Sequence, residues 1–114
     1  MFDFEKLIVY QKSKEFNSKV HSFLINNKLD RNTHDQLKRA AFSIMLNIAE
    51  GSGRFTKPDK RNFYIISRGS AFECVAIFDF LYDQEIINKS DFDEFYKSLE
   101  EMSKMLFVMI RKLQ

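Results

Sequence analysis

The chain has 114 residues, a length that predicts one domain over residues 1–114 with a single hydrophobic core and excludes a second domain. Its one cysteine, Cys74, excludes a disulfide framework, and the N-terminus lacks the basic start and continuous apolar core of a signal peptide, so we predict a cytoplasmic protein. The net charge of +2 does not by itself predict a nucleic-acid partner.

The charges are distributed unevenly along the chain. Between Lys38 and Arg68 there are seven basic and two acidic residues, whereas between Glu73 and Glu101 there are nine acidic and two basic ones. The middle of the chain is therefore the surface that we expect to meet an anionic partner.

The first two predicted helices are separated by the polar segment "NNKLDRN". Helix one runs from about Phe4 to Asn26, with apolar residues at helical spacing. Helix two starts near His34, because Thr33 is followed three residues later by a glutamine, the pattern of a capping box. It ends at Gly51, which we expect to adopt the left-handed conformation that closes a helix.

The third and fourth predicted helices complete the fold. Thr56 caps helix three, Pro58 lies in its first turn, and the helix continues to about Tyr82. Helix four starts at Ser90. Its apolar residues alternate steps of three and four, as in a left-handed bundle: Phe92, Phe95, Leu99, Met102, Leu106, Met109 and Leu113. Short connections between long helices predict an all-α, antiparallel up-down-up-down four-helix bundle.

Helix three has more apolar residues than one buried face requires, since fourteen of the twenty residues from 63 to 82 are apolar or aromatic. We predict that Phe63, Ile66, Ser70, Cys74, Ile77 and Leu81 face the bundle. Others then point away from it and form an oligomer interface: Ile65, Phe72, Ala76 and Phe80. A membrane span is disfavoured, because charged residues interrupt the run and flank it.

Charged residues within the hairpin of helices two and three need partners. If the hairpin closes near Arg54, Glu73 lies level with the first turns of helix two, and we expect it to pair with Arg39. Arg68 is expected to bind a carboxylate or a carbonyl. Gly69 and Ser70 are small enough to let another helix approach closely.

The segments "SIMLNIAEGSGR" and "NFYIISRGSAFE" resemble the pattern of the four-helix bundle proteins encoded in intervening sequences of bacterial 23S ribosomal RNA genes. The matching residues are Asn47, Glu50 and Gly51 on helix two and Arg68, Gly69, Ser70 and Glu73 on helix three. The N-terminal "FEKLIVYQKS" also suits this family, although Met45 stands where members usually have proline. The resemblance covers nearly the whole chain.

The resemblance implies a bundle that assembles as a ring-like homopentamer, with no established catalytic activity. Related bundles act as accessory proteins beside the reverse transcriptases of diversity-generating retroelements, where a basic surface meets RNA and polymerase. It therefore implies RNA, DNA or a nucleic-acid enzyme as a partner. A structural homo-oligomer that binds another protein is the alternative.

The sequence offers no recognisable catalytic, metal or cofactor site. A di-iron site needs Glu-x-x-His pairs, which neither His21 nor His34 forms, and "GSGR" has neither the spacing nor the context of a phosphate loop. We predict no enzyme activity, no cofactor and no metal. The turn into helix three carries four candidate nucleic-acid contacts, although a solvated turn explains the same charges: Arg54, Lys57, Lys60 and Arg61.

Overall fold

The computed structural model describes all 114 residues and contains four long helices. They are α1 (Ile8–Asn26), α2 (Arg31–Ser52), α3 (Lys57–Asp83) and α4 (Lys89–Lys112), preceded by a short 3-10 turn at Asp3–Lys6. Each helix packs against two others, α2 on α3, α3 on α4, and α1 on both α2 and α4. The short loops make neighbours antiparallel. The predicted all-α, up-down-up-down four-helix bundle is confirmed.

The helix starts differ from the prediction at three places. Leu7 is extended, so α1 begins at Ile8 instead of near Phe4. The predicted capping box at Thr33 is wrong: the Asp30 carboxylate accepts the N–H of Thr33 at 3.1 Å, which starts α2 one turn earlier. Asn88, which the sequence reading passed over, caps α4.

The predicted cap of α3 is confirmed. The Thr56 hydroxyl accepts the N–H of Asp59 at 3.3 Å, and Pro58 lies in the first turn, where its missing N–H is harmless. This cap fixes the point at which the basic turn passes into α3.

Gly51 does not close α2 in a left-handed conformation, as the sequence predicted. It lies within the helix, which continues to Ser52, and no glycine of the chain has a positive φ. A Cβ at Gly51 would lie 2.8 Å from Cε1 of Tyr64 and 3.0 Å from Cβ of Phe63. The glycine is required because α3 approaches the end of α2 too closely for any side chain.

The core is continuous along the bundle, and four aromatic rings occupy part of it. Phe78 and Phe95 stack with ring centroids 4.3 Å apart, and Phe16 and Phe23 meet Phe95 edge-on. The buried seam of α4 agrees with the predicted one, since Phe95, Leu99, Met102 and Leu106 are all buried. Edge-to-face and offset pairs of this kind add to the stabilisation from burial alone.

The inward face of α3 was predicted only in part. Ser70, Cys74 and Leu81 are buried as expected, but Ile66 is exposed. The positions that the prediction missed are Tyr64, Ser67, Ala71 and Phe78, all buried. The buried face of α3 could not be predicted in full because a helix that is apolar nearly all round gives no clear periodicity.

Candidate functional site

Small polar residues join α2 to α3 through two hydrogen bonds, those of Ser70 and Ser67, while Asn47 bonds to Ser43 within α2. The Ser70 hydroxyl donates to the Ser43 hydroxyl at 2.7 Å, and Asn47 Nδ2 donates to the carbonyl and hydroxyl of Ser43 at 2.8 and 3.0 Å. The buried Ser67 hydroxyl donates to the carbonyl of Ile44 at 2.7 Å. Of the family-motif residues, Ser70 therefore binds α3 to α2, whereas Asn47 bonds to Ser43 within α2.

These contacts also correct the predicted register of the hairpin. Ser70 lies against Ser43, more than one helical turn further along α2 than a hairpin closing near Arg54 requires. The reason is that α2 continues to Ser52 and the turn extends to the Thr56 cap, so that the hairpin closes later in the chain.

The ion pair predicted between Arg39 and Glu73 does not form within the chain. Both residues are exposed and neither has a charged partner within 4.0 Å. An exposed pair would add little to stability, so leaving these side chains in water costs little. Glu50 on α2 is likewise exposed and unpaired.

The four basic residues of the turn into α3 have different surroundings. Lys60 Nζ donates to the carbonyl of Ser52 at 2.8 Å, and Arg61 Nη1 donates to the carbonyl of Leu113 at 3.0 Å. These two side chains thus satisfy free carbonyls at the C-terminal ends of α2 and α4, where a cation is favoured. Arg54 is exposed with its guanidinium 4.4 Å from the ring centre of Phe63, and Lys57 is exposed without a partner.

A groove of about 780 Å³ runs between α3 and α4. Its α3 side contains two of the predicted interface residues, Phe72 and Ala76, and Phe72 is 54% exposed. Ile65 and Phe80, the other two, are exposed outside the groove. The residues that α4 contributes escaped the sequence analysis because they flank its core seam: Tyr96, Phe107 and Val108.

Arg68 lies half-buried in this groove. Its Nε donates to the carbonyl of Ser103 on α4 at 3.3 Å, which confirms the predicted carbonyl partner. Its guanidinium carbon is 4.7 Å from the ring centre of Phe72 and 5.4 Å from that of Phe107, within the range of cation–π contacts. No carboxylate of the chain pairs with it.

A second exposed apolar surface lies on α2. Phe42 and Leu46 are 45% and 51% exposed, and they share this surface with Arg39, Ser43 and Glu50. Gly69 of the family motif is exposed on α3, and a Cβ there would meet nothing within 4 Å. Gly69 is therefore not required by the packing of the isolated chain.

The ionisable groups show no arrangement for catalysis or metal binding. Burial raises the pKa of the Cys74 thiol to about 12, with a smaller contribution from Glu73, and burial also raises the pKa of Tyr64. A thiol held neutral in this way is a poor nucleophile and a poor ligand. No three His, Cys, Asp or Glu residues are grouped so as to hold a metal ion, and no helix has the length and apolarity to cross a membrane.

The fold defines an antiparallel four-helix bundle with exposed apolar residues on α2, α3 and α4. The sequence profile of the 23S rRNA-intervening sequence protein family matches residues 5–108. The chain belongs to this family, as the motif around Asn47 and Arg68 indicated.

A solved structure supports the same assignment. It is a crystal structure of a protein with unknown function from the S23 ribosomal protein family of Bacteroides thetaiotaomicron VPI-5482, 25% identical to this chain. The match covers 90% of this chain and 98% of that one, with a TM-score of 0.84. No protein among those with curated functions matches the sequence.

Proposed function

We propose that the protein is a non-enzymatic, self-assembling binding module of the cytoplasm, with RNA, DNA or a nucleic-acid enzyme such as a reverse transcriptase as its partner. The observation that carries self-assembly is the exposed apolar surface on three helices, with Phe42 on α2, Phe72 on α3 and Phe107 on α4. Exposed apolar patches of this kind mark protein interfaces. The resemblance to ring-forming relatives supports a homopentamer.

Arg54 and Lys57 carry the nucleic-acid part of the proposal. Both are exposed, neither has an acidic partner, and they flank the N-terminus of α3. Free N–H groups of a helix N-terminus favour an anion, and a ring would repeat this basic turn around one rim. Lys60 and Arg61 lie further along α3, and each also stabilises a helix end through its hydrogen bond to a carbonyl.

A gel-shift series with structured RNA at increasing salt tests this interaction. We expect binding at low salt that weakens as salt rises, because phosphate contacts release counterions. The variant Arg54→Glu/Lys57→Glu should weaken binding without affecting the helix-capping bonds of Lys60 and Arg61. The charge-matched control is Lys14→Glu/Lys28→Glu, which reverses two exposed lysines without an ion pair. Absence of binding at low salt, or equal binding by both variants, would refute the nucleic-acid partner.

The alternative is a structural homo-oligomer that binds another protein. It is favoured by the hydrogen bonds of Lys60 and Arg61, since those two charges then have a purely structural explanation. In that case the mass of the oligomer is unchanged by Arg54→Glu/Lys57→Glu, and RNA does not shift in the gel.

The absence of enzyme activity is part of the proposal. The α3–α4 groove has a largely apolar lining. Its polar groups are the surface ion pair of Glu100 and Lys104, with Asp79, the half-buried Arg68, Ser103 and the Tyr96 hydroxyl. No nucleophile with a neighbouring base lies among them. This set fits no reaction template.

A further inference from the structure

Arg68 has unused hydrogen-bonding capacity in an apolar setting. A guanidinium has five N–H donors, and only Nε is engaged within the chain, by the carbonyl of Ser103. The aromatic rings of Phe72 and Phe107 lie against the same group and exclude water from part of it. An arginine in such surroundings is well suited to a carboxylate, which it can bind through two parallel hydrogen bonds.

The groove carries a second charge of opposite sign on the same helix. Asp79 follows Arg68 by eleven positions, close to three helical turns, so both lie on one face of α3 about 16 Å apart. Between them the groove is apolar, with Phe72, Val75 and Ala76. Along α3 the order is therefore cation, apolar stretch, anion.

The exposed surface of α2 also carries a cation, an apolar stretch and an anion, in the same order along the helix and with the same spacing between the charges. Glu50 follows Arg39 by eleven positions, again about 16 Å along one helical face. Phe42 and Leu46 lie between them and are about half exposed. Neither charge has an ion-pair partner within the chain.

We infer that α2 of a second copy of this chain docks antiparallel to α3 in the α3–α4 groove, with Glu50 of the partner subunit on Arg68 and Arg39 of the partner subunit on Asp79. The two equal spacings allow both ion pairs to form at once. In this register Phe42 of the partner subunit lies level with the small Ala76, and Leu46 of the partner subunit lies level with Phe72. At the first of these positions a large side chain meets a small one, which lets the two helices pack closely there.

The antiparallel alignment also determines how copies are related. Within one chain α2 is antiparallel to α3, so a docked α2 that is antiparallel to α3 has the same direction as the chain's own α2. Neighbouring subunits therefore point the same way. Because the groove and the α2 surface are different surfaces, the contact is head-to-tail, the arrangement that closes into a ring when its rotation allows.

This docking rests on the proposed self-assembly and specifies its surfaces. The test uses the pair of Arg39 and Asp79, since neither forms an ion pair within the chain and reversing these charges breaks none. Arg39→Asp and Asp79→Arg should each shift the mass measured by light scattering toward the monomer, with association weakened at least about tenfold. The double variant Arg39→Asp/Asp79→Arg should restore the wild-type mass, because the pair is formed again with its charges exchanged.

A second mutant cycle tests the proposed contact at the other end of α2, between Glu50 of the partner subunit and Arg68. Glu50→Arg should dissociate the assembly, and Glu50→Arg/Arg68→Glu should recover part of it, with circular dichroism confirming that each variant is folded. Lys14→Glu should leave the mass unchanged. This second pair distinguishes docking in the groove from a general response to net charge.

The outcomes separate the docking from the proposed function. A wild-type protein that is monomeric at micromolar concentration refutes self-assembly and the docking together. A wild-type oligomer that is unaffected by all three single reversals, or dissociated by them without rescue in either double variant, overturns the docking and leaves self-assembly in place. An oligomer rescued in both cycles establishes the docking, whether or not the protein binds RNA.

Discussion

The two sides of α3 have similar apolar content but differ in how their polar groups are satisfied. On the inner side, Ser67 and Ser70 are buried and donate hydrogen bonds to α2, among residues such as Phe78. On the outer side, Phe72 is exposed and Arg68 lacks a carboxylate. Hydrophobicity therefore does not separate core from partner surface here, whereas the satisfaction of polar groups does.

The largest expected effect contrasts two phenylalanines six positions apart on α3. Phe78→Ala removes a fully buried ring that stacks on Phe95 at 4.3 Å, and should destabilise the fold by about 3–5 kcal/mol. Phe72→Ala removes a ring on the groove surface and should change the free energy of unfolding of the chain by less than about 1 kcal/mol. Urea unfolding at one low protein concentration measures both.

Phe72→Ala is expected to act on association instead. Light scattering should show a weaker assembly for this variant, because its ring lies in the groove where a partner helix would pack. Equal losses of folding stability for the two variants would show that the outer side of α3 belongs to the core of the chain after all.

Two glycines provide a contrast of intermediate size. Gly51→Ala places a Cβ 2.8 Å from Cε1 of the buried Tyr64 and 3.0 Å from Cβ of Phe63, so these neighbours must shift, and it should cost about 1–2 kcal/mol net. Gly69→Ala meets nothing within 4 Å and should stabilise α3 by up to about 1 kcal/mol, since alanine favours a helix. Thermal unfolding by circular dichroism measures both signs. A stabilising Gly51→Ala would mean that α2 and α3 are further apart than the structure has them.

Most of the fold was predictable because its signals are local. The Thr56–Pro58 cap and the seam from Phe95 to Leu106 can be read directly from spacing. Asp30 and Asn88 were missed because each precedes another plausible cap, and only the hydrogen bond that forms distinguishes the two. Local patterns thus predict which helices form more reliably than they predict the residue at which each helix begins.

The candidate surfaces were less predictable because they depend on how helices meet. The structural roles of Lys60 and Arg61 require the carbonyls of Ser52 and Leu113, and Leu113 is more than fifty positions away. A carboxylate or a carbonyl was predicted as the partner of Arg68, and the structure shows the carbonyl. The setting of Arg68 between the rings of Phe72 and Phe107 arises only where α3 meets α4. Spacing within one helix does not contain such information.

The last expected effect, which is absent near neutral pH, is the pH dependence of Cys74, on the inner side of α3. Burial raises the pKa of its thiol from an ordinary value of 9.0 to about 12, so between these pH values the unfolded chain loses a proton that the native state keeps. The stabilisation is therefore complete below pH 9.0 and declines toward about pH 12, by at most about 1.4 kcal/mol per pH unit. In urea unfolding, the stability advantage of wild type over Cys74→Ala should shrink across this window. Tyr64 titrates in both proteins and cancels, so an advantage that stays constant would show that the thiol reaches water in the native state.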